Sequence, residues 1–178
     1  VMHMLSWLST SGTAAIVEFP GVLYRGGAEQ KIRKYLVDNN YIDAVIQLPP
    51  DLFFGTTIAT CIIVLKKSKK DNKTLFIDAS SEFVRGGNKN KLSDASRAKI
   101  LEAFTRREDI EHFAKLVDNK DVAANDYSIA VSGYVAQKDT RESVDIVELN
   151  EKIAQAVTHQ QELRNAIDEI VRDIEGVK

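Results

Sequence analysis

Cysteine is almost missing from this sequence: Cys61 is the only one, and it sits inside the apolar run TCIIVL. That excludes an intramolecular disulfide and any cysteine-rich metal site, and it fits a reducing, cytoplasmic setting. The three histidines, His3, His112 and His159, lie far apart without carboxylate or cysteine companions at ligand spacing, so a metal centre has no support. No two glycines are separated by a single residue, which removes the G-x-G turn that lets backbone approach a nucleotide-like cofactor. Arg25-Gly26-Gly27 and Arg85-Gly86-Gly87 read as turn chemistry, because neither leads from a strand directly into a helix. No serine has a nucleophile-elbow setting. Neither charge sign dominates, with 24 Lys+Arg against 26 Asp+Glu, so no global basic field announces a nucleic acid. No apolar run reaches the roughly 18 to 20 residues of a membrane span, and the start VMHMLSWLSTSG lacks the basic opening of a signal peptide. No membrane association is expected.

What is present is an ordinary globular composition: 178 residues, 44% of them hydrophobic, enough for one core-bearing domain with an appendage. The chain opens on Val1, and VMHMLSWL reads as a helix in mid-course, which suggests a segment removed upstream, the alternative being simple processing of an initiator.

The apolar spacing of Leu5, Trp7 and Leu8 predicts a helix stopping at Ser11-Gly12, followed by a short buried strand in TAAIVEF. EQKIRKYLVDNN sets Ile32, Tyr35 and Leu36 on one helical face, and YIDAVIQLP is strand-like again. A strand–helix–strand unit over 12–48 argues for a parallel pair in a covered sheet. The β-branched run from Thr56 to Leu65 follows too short a connection for a crossover helix, so it is expected to run antiparallel to its predecessor. TLFIDAS adds another strand. From Ser81 onward the sheet is expected to have ended: FVRGGNKNK is a polar loop, and DASRAKILEAFTRREDIEHFAKLV reads as one or two amphipathic helices. NDYSIAVSGYVAQKDTRES is expected to be an irregular segment on the domain surface.

The clearest periodicity comes last. Ile146, Leu149, Ile153, Ala156, Gln160, Leu163, Ile167, Ile170 and Ile174 alternate steps of three and four, a heptad seam that calls for a partner helix. An intramolecular hairpin against residues 94–116 is the alternative. Residues 145–178 hold eight acids and four bases, so this helix is no phosphate binder.

Pro49-Pro50, flanked by Leu48 and Phe53-Phe54, looks like the polar-Pro-Pro-aromatic loop with which amino-methyltransferases hold a target amine. The likeness fails at Leu48, which has no carbonyl side chain to accept the amine's hydrogen bond, and at Asp51, where the aromatic should stand.

The order of segments is more specific. HML…L…G.AAIV, GVLYRGGAEQKIRKYL, IDAVIQLPPDLFFGTTIATCIIVLKK, LFIDAS and NDYSIAVSGYV together closely resemble the M (modification) subunit of type I restriction–modification systems, over essentially the whole chain. The most specific block is LP-x-x-LF-x-x-T-x-I-x-T-x-I-x-VLKK. The resemblance implies the later part of an AdoMet-dependent (S-adenosyl-L-methionine) DNA adenine-N6 methyltransferase. In that family the glycine-rich cofactor motif and the Asn-Pro-Pro-aromatic loop precede the matched region, and neither is in this sequence. The implied fold is α/β: the carboxyl-terminal part of a Rossmann-like methyltransferase sheet with an antiparallel hairpin over 1–85, a helical and irregular accessory region over 86–144, and a coiled-coil-like helix over 145–178. By itself the chain is expected to be inactive and to bind no AdoMet.

The resemblance further implies that Phe53 stacks on the flipped adenine, the alternative being that Phe53 and Phe54 cap the sheet core. It implies that the terminal helix packs on the specificity (S) subunit, with the restriction (R) subunit joining for cleavage and DNA bound in the assembly. Lys66, Lys67, Lys69 and Lys70, with Lys73, are candidates for DNA-backbone contact, although a solvated strand-end turn explains them as well. The competing function is a free-standing interaction module, a degenerate methyltransferase sheet with a coiled-coil tail and no catalysis.

Overall fold

The computed structural model describes residues 1–138 and 145–176, and they form two compact units divided between Lys138 and Asp139. The sequence-based boundary at 144 and the last two residues of the tail lie outside the described residues.

The first unit is built on a five-stranded sheet. Helix α1 (Met2–Trp7) leads into β1 (Thr13–Glu18); a 3-10 turn (Pro20–Leu23) and helix α2 (Ala28–Asp38) lead to β2 (Ile42–Gln47). β3 (Cys61–Lys66) and β4 (Lys73–Asp78) follow, then the small hairpin β5 (Val84–Gly86) and β6 (Lys89–Lys91). Helix α3 (Asp94–Arg106), β7 (Ala114–Asp118), helix α4 (Asn119–Ala124) and a 3-10 turn (Val131–Gly133) complete the unit. The sheet order is β1-β3-β2-β4-β7. β3 is antiparallel to both β1 and β2, β2 and β4 are parallel, and β7 is antiparallel to β4.

The antiparallel β2–β3 step is as the short connection dictates. Three expectations are corrected. β1 and β2 do point the same way, but β3 is inserted between them, so they are not a hydrogen-bonded parallel pair. β1 is an edge strand with alternating half-burial, not a buried one. The sheet also does not end at Ser81. AKLV, expected to continue a helix, forms β7 with Asp118 on the outer edge of β4, because Arg107 takes a left-handed conformation (φ 54°) that stops α3 and frees the following residues to pair.

Both faces of the sheet are covered, which is why β2, β3 and β4 read as near-continuous apolar runs. One core gathers Ile42, Val45, Ile63, Leu65 and Phe76 under Leu5, Leu23, Leu36 and Val122. Ile129, Val131 and Val135 belong to the same core, so the irregular segment expected on the surface supplies buried side chains. The other core packs Ala44, Ile46, Val64, Leu75 and Ile77 against Ala103 and Phe113. Two polar groups tie the layers together. Arg33, 3% exposed, donates to the carbonyls of Tyr127 and Val22, and burial lowers its pKa. Asn119 donates to the Val37 carbonyl and to the side-chain oxygens of Asn40 and Asn72, and accepts from Thr74.

The second unit is helix α5 (Ile146–Glu175), thirty residues and about 45 Å long. The Asp145 carboxylate caps it by accepting the N–H groups of Val147 and Glu148, and Gly176 ends it in the left-handed conformation (φ 65°). No described helix in either unit is long and apolar enough to cross a membrane.

Candidate functional site

Strands β1, β2 and β4 all point the same way, so their carboxyl ends share one edge of the sheet, the edge at which open α/β sheets bind ligands. Exposed aromatic and aliphatic side chains follow these ends: Phe19 after β1, Phe53, Phe54 and Ile58 after β2, and Phe83 after β4. The connection after β2, residues 48–60, is the longest of them and starts and finishes in the core. Leu48 is buried, its N–H donates to the Thr60 carbonyl, and the Gln47 amide donates to the same oxygen.

Within this loop the Asp51 N–H donates to the Thr57 carbonyl and closes a narrow tip. Asp51 takes φ 59° and Gly55 φ 78°, the left-handed values that reverse the chain on either side of the two phenylalanines. Leu52 packs inward against the second core. Phe53 is 42% exposed and Phe54 fully so. Neither phenylalanine is counted in either core, and Leu52 makes the loop's core contact.

The hairpin β5–β6 grips this loop. The Asp51 carboxylate receives Lys89 Nζ at 2.6 Å and Arg85 Nη1 at 2.8 Å, and these two cations hold its pKa below the usual carboxylate value. Lys89 also donates to the Thr56 carbonyl at 3.2 Å, across the mouth of the tip. Asn90, 5% exposed, donates through its side chain to the Pro50 carbonyl and through its backbone N–H to the Asp51 carbonyl. Sequence reading missed these partners. The Thr60 hydroxyl, at the loop's far end, is buried without a hydrogen-bond partner among the described residues.

The lysines fall elsewhere. β3 is antiparallel to β2, so Lys66 and the turn after it lie at the opposite edge, about 20 Å from the phenylalanine loop across six-residue strands. Phe53 and the lysines are therefore not brought together. Lys67 donates to the Leu8 carbonyl, and Lys69 to the carbonyls of Ile42 and Lys73. Burial above all, and then the Arg107 cation, pull Lys69 down from 10.5 to about 8 against the opposing carboxylates of Asp43 and Asp71. A half-buried lysine so committed is a structural strut.

The sign of its pH effect follows. Between pH 8 and 10.5 the unfolded chain holds a proton at Lys69 that the folded chain has released, so stability rises with pH across that window. In urea titrations the wild-type midpoint is expected to gain on that of Lys69→Met as pH is raised from 8 to 10.5. A constant difference would show that Lys69 titrates normally. Comparing the two proteins cancels Cys61, whose burial raises it to about 11 and acts in the opposite sense.

Gly27 begins α2 after a 3-10 turn, and Gly86-Gly87 lie in the hairpin β5–β6, so neither pair forms a strand–turn–helix cradle. No group of metal-ligating side chains is present among the described residues.

On α5 the seam residues Ile146, Leu149, Ile153, Leu163, Ile167, Ile170 and Ile174 are all exposed, between 45% and 79%, and Ala156 is exposed with them. They line one apolar stripe on a continuous helix.

Known proteins agree with this architecture. Relatives include the methylase subunit of the type I restriction enzyme MpnII from Mycoplasma pneumoniae, 47% identical over 98% of this chain and 32% of its own length. The MjaVIII methylase subunit of Methanocaldococcus jannaschii is 38% identical over 81% of this chain and 26% of its own length. The chain thus spans about a third or less of the curated relatives it matches. The solved methyltransferase subunit of a type I system from Streptococcus thermophilus superimposes on 75% of the chain and 29% of its own, at TM-score 0.74 and 44% identity. The EcoKI M protein shares the fold at TM-score 0.61 and 16% identity, over 93% of this chain and 43% of its own. A family model for N-6 DNA methylase matches residues 1–143, and the chain belongs to that family.

Proposed function

We propose that the chain is part of the modification subunit of a type I restriction–modification system, which transfers the methyl group of AdoMet to adenine N6 in DNA. The observation that carries this is the 47% identity to a type I methylase subunit over 98% of the chain. The chain's residues supply the later sheet, the loop 48–60 and the terminal helix, while the AdoMet site belongs to sequence outside them. The polypeptide alone is therefore inactive and binds no AdoMet. In the subunit, Phe53 stacks on the adenine turned out of the duplex, a contact that suits any base face and needs no hydrogen bond from Leu48. With Lys67 and Lys69 bonded to main-chain carbonyls, Lys66 and Lys70 are the lysines of the cluster assigned to phosphate. The cytoplasm suits a DNA-modifying protein with one buried, un-ionised thiol at Cys61.

The apolar stripe of α5 docks on helices of the specificity subunit, which reads the DNA sequence, and the restriction subunit joins that assembly for cleavage. Deleting residues 145–178 is expected to abolish co-purification with the specificity subunit; retained co-purification would show that the interface lies elsewhere. The function itself is tested by incubating the full subunit and its specificity subunit with DNA and AdoMet, then digesting the DNA to nucleosides for mass spectrometry. N6-methyladenine is expected. Methyl groups on cytosine, or on no base, would contradict the proposal.

A further inference from the structure

We propose that the hairpin β5–β6 is a clamp that sets the height and angle of the Phe53 tip, with Lys89 as its principal positioning residue; the inference rests on the reading of loop 48–60 as the base-contacting loop.

Three observations carry it. First, Lys89 bridges the two arms of the tip: its ammonium touches the Asp51 carboxylate on the ascending arm and the Thr56 carbonyl on the descending one. Phe53, Phe54 and Gly55 lie between those two points, so Lys89 braces from outside the loop a tip that the Asp51 N–H to Thr57 carbonyl bond closes from within. Second, Asn90 delivers two hydrogen bonds to successive main-chain carbonyls, Pro50 and Asp51, and its side-chain Oδ1 accepts from Arg85 at 3.0 Å. A nearly buried asparagine with its side chain used at both ends has one orientation, and it passes that orientation to the loop. Third, Asp51 turns the chain in the left-handed conformation that aspartate tolerates, at the point where the hairpin reaches the loop. Its carboxylate is the group both hairpin cations engage.

The consequence is a division of labour. The tip itself has almost no anchor, since Phe54 is fully exposed and only Leu52 enters the core. An aromatic ring that must meet a base face within a fraction of an ångström gains its placement from the hairpin, and misplacement on that scale slows a reaction by between about tenfold and a hundredfold. Both hydrogen bonds of the Lys89 ammonium go to loop atoms, so its effect on the reaction is expected to pass through the tip.

The experiment uses the full subunit with its specificity subunit and compares Phe53→Ala, Lys89→Met, Lys89→Arg and the double variant Phe53→Ala/Lys89→Met. Steady-state methylation gives kcat and the KM for AdoMet, and 2-aminopurine at the target adenine reports stacking by its fluorescence. Lys89→Met is expected to lower kcat by about tenfold or more while leaving the KM for AdoMet within about twofold, and Lys89→Arg to recover much of the loss. The double variant is expected to be no slower than Phe53→Ala alone, because removing the ring removes what the clamp positions. The fluorescence of the flipped base should rise in Lys89→Met toward its level in Phe53→Ala. Independent, multiplying losses in the double variant, or a wild-type rate for Lys89→Met beside a slow Phe53→Ala, would overturn the clamp and leave the loop reading intact. A wild-type rate for Phe53→Ala would overturn the loop reading and the clamp with it.

Discussion

Phe53→Ala in the full subunit is expected to slow methyl transfer by roughly 5-fold to 150-fold, the loss that corresponds to about 1–3 kcal/mol of base–aromatic stacking. The same substitution is expected to leave the melting temperature close to wild type. Phe53 is 42% exposed and belongs to neither hydrophobic core, so truncating it opens no cavity. The pairing of the two measurements is what makes the result informative. A ring that served the core would show the reverse, a lowered melting temperature with turnover preserved. Leu52→Ala is the internal control, because Leu52 is the loop residue that packs on the core beside Leu48 and Ile46.

The largest stability effect is expected at Phe76. This residue is fully buried in β4, packs in the core beneath α2, and stacks on Tyr134 with ring centroids 4.1 Å apart. Phe76→Ala removes the ring and leaves a cavity in a layer enclosed by the sheet on one side and the segment 129–135 on the other. A loss of about 3–5 kcal/mol is expected, read as a lower urea midpoint at an unchanged slope. The Tyr134 hydroxyl donates to the Ser128 carbonyl and pins its ring from the far side, which limits how far the cavity can collapse. A change below about 1 kcal/mol would mean that the segment 129–135 does not close this core.

How much of this was legible in the sequence depended on burial and range. β2, β3 and β4 were readable because both their faces are covered, so IDAVIQ, CIIVLK and TLFID are apolar almost without interruption. The insertion of β3 between β1 and β2 was not, since strand order is decided by pairing across long stretches of chain, here Val17 with Ile62. β7 was lost for a local reason. AKLV carries only one β-branched residue and continues the spacing of α3, and the left-handed Arg107 that separates them leaves no sequence mark. β1 looked buried because an edge strand half-covered on one face can still be spelled AAIV.

The site divided in the same way. Phe53 stood out because two adjacent phenylalanines follow a Pro-Pro pair at the end of a strand. Its clamp was hidden: Lys89 and Asn90 sit in FVRGGNKNK, which resembles any polar loop, and the partner Asp51 is 38 residues away from Lys89. The lysines differ again. Lys66, Lys67, Lys69 and Lys70 form a basic cluster in sequence, yet the structure gives two of the four ammonium groups to main-chain carbonyls. Charge in a sequence says nothing about which carbonyls the fold will leave in need of a donor.

The central claim is that the loop at the carboxyl edge of β2 meets the target base. It is tested most directly by photo-crosslinking: the assembled modification and specificity subunits are bound to DNA carrying 5-iodouracil in place of the target adenine, irradiated, digested and sequenced by mass spectrometry. The account predicts a crosslinked peptide containing Phe53, lost in Phe53→Ala. Crosslinks confined to other peptides, in a complex that still methylates unmodified DNA, would contradict it.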